Sequence, residues 1–171
     1  MQLTGKLLIG ASDVAASEGT LKALNPATNQ PIEPAFALGS VADVDRAATL
    51  ADDAFDVYSH TSLAERAAFL ERIADNLDSV REALAARAAL ETGLPEAQLQ
   101  GEAIKAATQF RQFADVVRGG RFLQLAIDPA QPERQPRPRM DHRLQKIAIG
   151  PVAIFGASNF PIAYSVAGGD T

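Results

Sequence analysis

The stretch Val152-Ala153-Ile154-Phe155 constrains this chain more than any other, because its apolar residues run on with no polar alternation. A strand with one wet face alternates, whereas an unbroken apolar run suits a parallel strand covered on both faces. Ligands collect beyond the carboxyl ends of such strands. Just past this end come Gly156-Ala157-Ser158-Asn159-Phe160-Pro161, which supply a tight turn, a side-chain amide and a proline suited to opening a helix. The layout is that of an active-site edge. Because the chain ends at Thr171, the expectation is an α/β fold cut near the start of its sheet, the front part of an enzyme.

The residues before this edge are punctuated like a helical layer. Leu3 to Ala11 and Thr20 to Asn25 suit short strands, followed by the turn cluster Asn25 to Pro31. Ser40 with Asp43 three residues on resembles a capping box, and Val44, Ala47, Ala51, Ala54, Phe55 and Tyr58 recur at helical spacing, predicting a helix over Val41 to Tyr58. Ser62 and Glu65 repeat the signature ahead of Ala67, Leu70, Ile73, Ala74 and Leu77. Ser79 and Glu82 predict a fresh start, ended by Gly93. Pro95 then suits the first position of a helix with Leu99, Ala103, Ile104, Ala107, Phe110 and Phe113 or Ala114 inward, ending at Gly119-Gly120. Beyond it Arg121 to Ile127 reads as extended, Asp128 to Met140 as a proline-rich loop, and His142 to Ile149 as a strand.

Charge and composition exclude several functions. A formal charge of -5 gives no support for nucleic acid or a membrane surface as partner. The amino terminus carries only the short apolar run Leu7-Leu8-Ile9, too little for a signal peptide or a membrane span, so a cytoplasmic location is expected. No cysteine is present, which removes disulfides, thiolate metal sites and cysteine nucleophiles from these residues. His60 and His142 have no partners at metal-ligand spacing, so no metal is expected.

Each candidate site also has a plain structural reading. Gly156 alone does not make a phosphate-binding glycine fingerprint. Asn159 suits an oxyanion donor because its amide donates without titrating, yet asparagine is equally a preferred helix cap. Phe160 and Tyr164 flank the site and suit either a substrate passage or the core. Arg134, Arg137, Arg139, Arg143 and Lys146 could grip an anion or simply keep an edge strand soluble. Glu65, Glu71, Asp75 and Asp78 alternate with Arg66, Arg72 and Arg81 and suit a salt-bridged surface better than acid-base chemistry. Phe110, Phe113 and Phe122 are expected in the core.

Asn25-Pro26-Ala27-Thr28, the Val41 to Tyr58 segment, Glu91-Thr92-Gly93-Leu94-Pro95 and above all Gly150-Pro151-Val152 through Asn159-Phe160-Pro161 resemble the opening portion of an aldehyde dehydrogenase. With Ser165 to Thr171 added, the chain is similar to the branch containing alpha-ketoglutaric semialdehyde (2,5-dioxovalerate) dehydrogenases and a related fatty-aldehyde dehydrogenase. The resemblance implies a Rossmann-like cofactor domain, a catalytic domain and strands for oligomerisation. Residues 1–120 would be strands and helical layer of the cofactor domain, 121–149 an extended oligomerisation arm, and 150–171 the first strand and helix of the Rossmann-like core.

The resemblance also implies the chemistry: NAD(P)-dependent oxidation of a small aldehyde to its acid, with NADP favoured by the branch, in a homodimer or homotetramer. The family's cysteine thiolate attacks the aldehyde, and a glutamate activates the water that releases the acid. Neither group is found here, so these residues alone are expected to be inactive. Asn159 matches the asparagine that stabilises the oxyanion. Phe155, Gly156, Ala157 and Ser158 match the stretch against the nicotinamide half of the cofactor, and Phe160 and Tyr164 match the aldehyde tunnel. The competing expectation is a non-catalytic assembly or binding module of this length.

Overall fold

Serine and glycine chemistry sets the helix ends in the computed structural model, which describes residues 3–166. Helix α1 spans Val41–Ser59 and helix α2 spans Leu63–Thr92, each opened by a complete capping box, Ser40 with Asp43 and Ser62 with Glu65. These boxes satisfy amide donors that a helix start otherwise leaves orphaned. Gly93 ends α2 at φ 71°, where a side chain would be strained. A β-carbon there would also lie 3.0 Å from the Pro26 ring. The Asn25-Pro26 turn thus packs directly on the end of α2, joining two stretches that lie far apart in sequence. Helix α3, Glu96–Gly119, starts just after Pro95 and stops at Gly120.

Ser79 departs from its expected role. Helix α2 runs through it without a break, and its hydroxyl donates back to the Asn76 carbonyl at 2.7 Å. A serine caps only where the preceding backbone leaves the helix; inside a helix it bonds its own previous turn.

The core is the seam between α2 and α3. Ala67, Ala74 and Ala85 of α2 face Ala103, Ala106, Ala107 and Ala114 of α3, all buried, with Leu70, Leu99 and Phe110 filling between them. Small side chains let the two axes approach closely, and Arg111 to Asp75 and Asp78, with Arg118 to Glu71, line the rim. The acidic residues of α2 are therefore surface pairs, bonded mostly to α3 rather than along their own helix. Ile104 and Phe113 lie outside the seam, at 49% and 36% exposure, and Phe122 is also open, so Phe110 alone of the three expected core phenylalanines is buried.

Three two-stranded antiparallel sheets surround this pair. Strands β1 (Leu7–Ile9) and β2 (Ser12–Val14) form one hairpin, and β3 (Thr20–Asn25) and β4 (Gln30–Ala37) another. The expected first strand is shorter than Leu3 to Ala11, and β4 is an addition whose prolines are tolerated because a two-stranded ribbon is all edge. Arg87 of α2 holds β4 by donating to the Glu33 carbonyl and lying 5.7 Å from the Phe36 ring centre. A single turn of 3-10 helix, Arg121–Leu123, replaces the start of the expected extended segment. Strands β5 (Ala126–Asp128) and β6 (His142–Leu144) then bracket the proline-rich loop.

The parallel strand expected at Val152 to Phe155 is absent: the segment belongs to no sheet, with Val152 at 75% and Phe155 at 94% exposure. A strand exists through the ladder its neighbours supply, and no described residue supplies one here. Gln145 to Ile149 joins no sheet, although the Lys146 N–H donates to the Leu123 carbonyl at 2.8 Å, so the strand expected over His142 to Ile149 is limited to β6. The described residues therefore hold no parallel sheet. Of the closing stretch Ser165 to Thr171, residues 167–171 lie outside those described. Helix α1 buries none of its residues, and Tyr58 near its end packs edge to face on Phe69 of α2 at 6.0 Å.

Two outcomes follow. Ala74→Leu should cost about 1–3 kcal/mol in chemical denaturation, because the seam has no room for the added methylenes. Hydrogen bonds from the Ser17 hydroxyl and then from Ser40 hold the Asp43 carboxyl below its ordinary range, and the Ser62 bonds do the same for Glu65. The stability they add is complete above the unfolded carboxylate pKa of about 4 and is lost as pH falls through the lower folded values. Replacing them by Asp43→Asn and Glu65→Gln should therefore shrink the drop in thermal midpoint between about pH 6 and pH 2.5.

Candidate active site

The exposed run from Gly150 ends in a turn, Ser158 to Pro161, whose first three residues stay exposed while Ile162 and Ala163 just beyond it are buried on α3. Helix α4, Ala163–Ser165, follows with Ile162 at its N-cap position and no side-chain capping bond from its own flank. Pro161 thus sits in the turn, two residues before the helix it was expected to open. Asn159 does not cap it either. The work of a cap falls to Glu102 of α3, whose Oε2 accepts from the Ile162 N–H at 3.2 Å and the Ala163 N–H at 3.4 Å. Among the described residues the Asn159 amide has no hydrogen-bond partner and is exposed.

Further contacts fix the turn. The Tyr164 N–H donates to the Phe160 carbonyl at 3.2 Å, and the Ser165 hydroxyl to the Pro161 carbonyl at 3.2 Å. The Phe160 and Tyr164 rings pack at 4.7 Å between centres, and the Lys105 ammonium lies 5.5 Å from the Tyr164 ring centre. Both aromatics are little more than one-third exposed, so they lie at the surface rather than in the core. Ile162 and Val166 close the end of the α2–α3 seam, and an apolar cavity of about 300 Å³ lies beneath them, lined by Ile73, Leu77, Leu84 and Phe110.

Gly156 has its own reason to be glycine. A β-carbon there would come within 2.9 Å of the Ser165 hydroxyl, so the run folds back against α4. Phe155, Gly156, Ala157 and Ser158 lie consecutively along this approach, outside any strand. Among the described residues their backbone groups take no part in a ladder. They offer no phosphate cradle.

The other candidates resolve into structure. His60 Nδ1 is bonded to the Asp56 carbonyl at 2.6 Å, beside a second cavity of about 680 Å³ remote from Asn159, and His142 lies in β6. No cluster of three or more histidine, aspartate or glutamate side chains capable of holding a metal occurs among the described residues. No helix among them is long and apolar enough to cross a membrane. In the basic stretch, Arg143 pairs with Asp141 at 3.0 Å and Arg139 donates to the Pro129 carbonyl at 3.1 Å. Sequence reasoning missed Glu102 and Lys105. The signal was there, since Glu102 falls in the apolar stripe Leu99, Ala103, Ala106, Phe110 at helical spacing.

The chain is similar to known proteins in both sequence and fold. The chain is 59% identical over its whole length to alpha-ketoglutaric semialdehyde dehydrogenase 2 of Azospirillum brasilense, and 46% identical over 98% of it to alpha-ketoglutaric semialdehyde dehydrogenase of Acinetobacter baylyi. It spans about a third of the length of these relatives. Among solved structures, a putative aldehyde dehydrogenase from Burkholderia cenocepacia is 33% identical with a TM-score of 0.65, covering 74% of this chain and 25% of its own. PnpE in complex with nicotinamide adenine dinucleotide is 28% identical with a TM-score of 0.66, covering 75% and 26%. The pattern of the aldehyde dehydrogenase family matches residues 14–168, and the chain belongs to that family.

Proposed function

We propose that the complete polypeptide oxidises an aldehyde to its carboxylic acid with NAD or NADP as hydride acceptor, and that Asn159 stabilises the oxyanion. The aldehyde is alpha-ketoglutaric semialdehyde and the product alpha-ketoglutarate, a reading supported by the 59% identity to an enzyme of that name. The observation that carries the role of Asn159 is its unpartnered amide, spared from capping because Glu102 takes the N–H groups of Ile162 and Ala163.

Asn159 Nδ2 donates to the aldehyde oxygen as negative charge develops there, and being neutral it keeps this role across the working pH range. The rings of Phe160 and Tyr164, packed with a tilt of 38°, wall the approach and exclude water from the reacting carbon. The sulfur that attacks, and the base that activates water for release of the acid, come from residues outside this chain, which holds no cysteine. Phe155, Gly156, Ala157 and Ser158 fit the nicotinamide end of the cofactor, offering open backbone groups and, at Gly156, a close turn. The cofactor when bound takes the hydride that leaves the former aldehyde carbon.

The β5–β6 ribbon suits a subunit contact in a cytoplasmic homodimer or homotetramer. Its residues are exposed, Ile127 at 64% and Leu144 at 63%, and its outer edges are open to another chain.

In the complete polypeptide Asn159→Ala should lower kcat about 10²- to 10³-fold, the usual loss for one oxyanion donor, with the Kd for NAD(P) changed less than about twofold. Steady-state kinetics with alpha-ketoglutaric semialdehyde and a separate cofactor titration check this. Near-normal turnover removes Asn159 from the reaction.

A further inference from the structure

Glu102 is the one charged or polar residue buried among the described residues, at 6% exposure. Burying a carboxylate costs several kcal/mol unless hydrogen bonds repay it, and the neighbouring inward positions of α3 are leucine and alanine. An apolar side chain would fill the same place at lower cost. Glu102 is bonded on both oxygens: Oε2 accepts from Ile162 and Ala163, and Oε1 from the Gln98 amide at 3.3 Å. The two N–H groups it takes are the first that follow Pro161, whose own nitrogen has no hydrogen to donate. They lie three and four residues beyond Asn159.

We propose that Glu102 is a positioning residue for the aldehyde oxidation, clamping the turn that presents the Asn159 amide. The inference rests on the oxyanion role of Asn159. Glu102 and Lys105 lie three residues apart on α3 and hold two successive points of the following chain, the backbone at Ile162 and Ala163 and the ring of Tyr164. Tyr164 in turn holds Phe160 through a backbone hydrogen bond and ring packing. Asn159 is therefore tied to the rigid α2–α3 pair through its immediate neighbours while its own side chain stays free. Without Glu102 the N–H groups of Ile162 and Ala163 would be buried and unsatisfied, and the turn would lift toward water. A displacement of about 1 Å in a reacting geometry can cost about 100-fold in rate.

The test is a double-mutant cycle in the complete polypeptide, with alpha-ketoglutaric semialdehyde and saturating NAD(P). Glu102→Ala should lower kcat about 10- to 100-fold, with the Kd for NAD(P) within about twofold of wild type. Glu102→Gln keeps an acceptor oxygen in place and should restore most of the turnover. In an Asn159→Ala background, Glu102→Ala should change kcat by less than about twofold, because the group it positions is already gone. An equal loss in both backgrounds, or a lowered thermal midpoint with kcat unchanged, overturns the positioning role while leaving Asn159 in place. Normal turnover in Asn159→Ala alone overturns the oxyanion reading first, and this inference with it. If Glu102→Ala does not fold, Glu102→Asp retains the charge but draws the acceptor back by one methylene. Its kcat should lie below that of Glu102→Gln, and wild-type turnover in both overturns the proposal.

Discussion

The alanine seam between α2 and α3 is the packing on which the rest of the structure depends. Seven alanines at or below 1% exposure bring two long helices close enough to act as one body. The β3–β4 hairpin, the 3-10 turn and α4 lean on this pair, whereas β1 pairs with β2, and β5 with β6. Arg87 fastens the β3–β4 hairpin to α2, Tyr58 sets the end of α1 against Phe69, and Glu102 and Lys105 dock the turn before α4. Surface ion pairs along the rim add little individually. Shape at the seam fixes the relative register of α2 and α3, and with it the place on α3 from which Glu102 reaches the site.

That dependence explains which parts of the fold were legible in the sequence. Local chemistry was readable: the capping boxes at Ser40 and Ser62, and the stops at Gly93 and Gly120, involve residues within a turn of one another. Ser79 carries the same letters as a cap and is not one, because capping also requires a chain that leaves the helix, and nothing before Ser79 makes it do so. Apolar spacing identified Leu99, Ala103, Ala107 and Phe110 as inward residues of α3, missed buried Glu102 and Ala106, and erred where an apolar residue lies at the margin of the stripe. Ile104 and Phe113 sit there, next to buried Ala103 and Ala114, and periodicity alone could not separate members of each pair.

Long-range pairing was not readable in the same way. Val152 to Phe155 has the composition of a buried strand, yet its side chains stand in solvent beside Ile149 at 99% exposure. Composition states what environment a segment suits; hydrogen-bonding neighbours decide whether it gets one. Helix α1 makes the same point, since its apolar residues recur correctly and yet none is buried. An apolar surface of this kind is costly in water and suits contact with further protein. Both segments show apolar side chains without cover in a chain that spans about a third of its curated relatives.

The candidate site joins both kinds of segment, and its chemistry depends on the contrast. Electrostatic stabilisation of an oxyanion works when the donor is already in place, so that no reorganisation is needed as charge develops. In the proposed reading the turn bearing Asn159 meets that demand because it is fastened to α3 through Glu102, Phe160 and Tyr164, and not because the preceding run is ordered by a sheet. The run Phe155 to Ser158 has the opposite character, an open backbone suited to lying against a flat ligand. In the proposed reading the amide is preorganised by the helical pair, and the cofactor strip is completed by strands from elsewhere in the polypeptide. On that reading, an oxyanion donor fastened to the α2–α3 pair keeps its geometry independent of how the cofactor sheet is assembled.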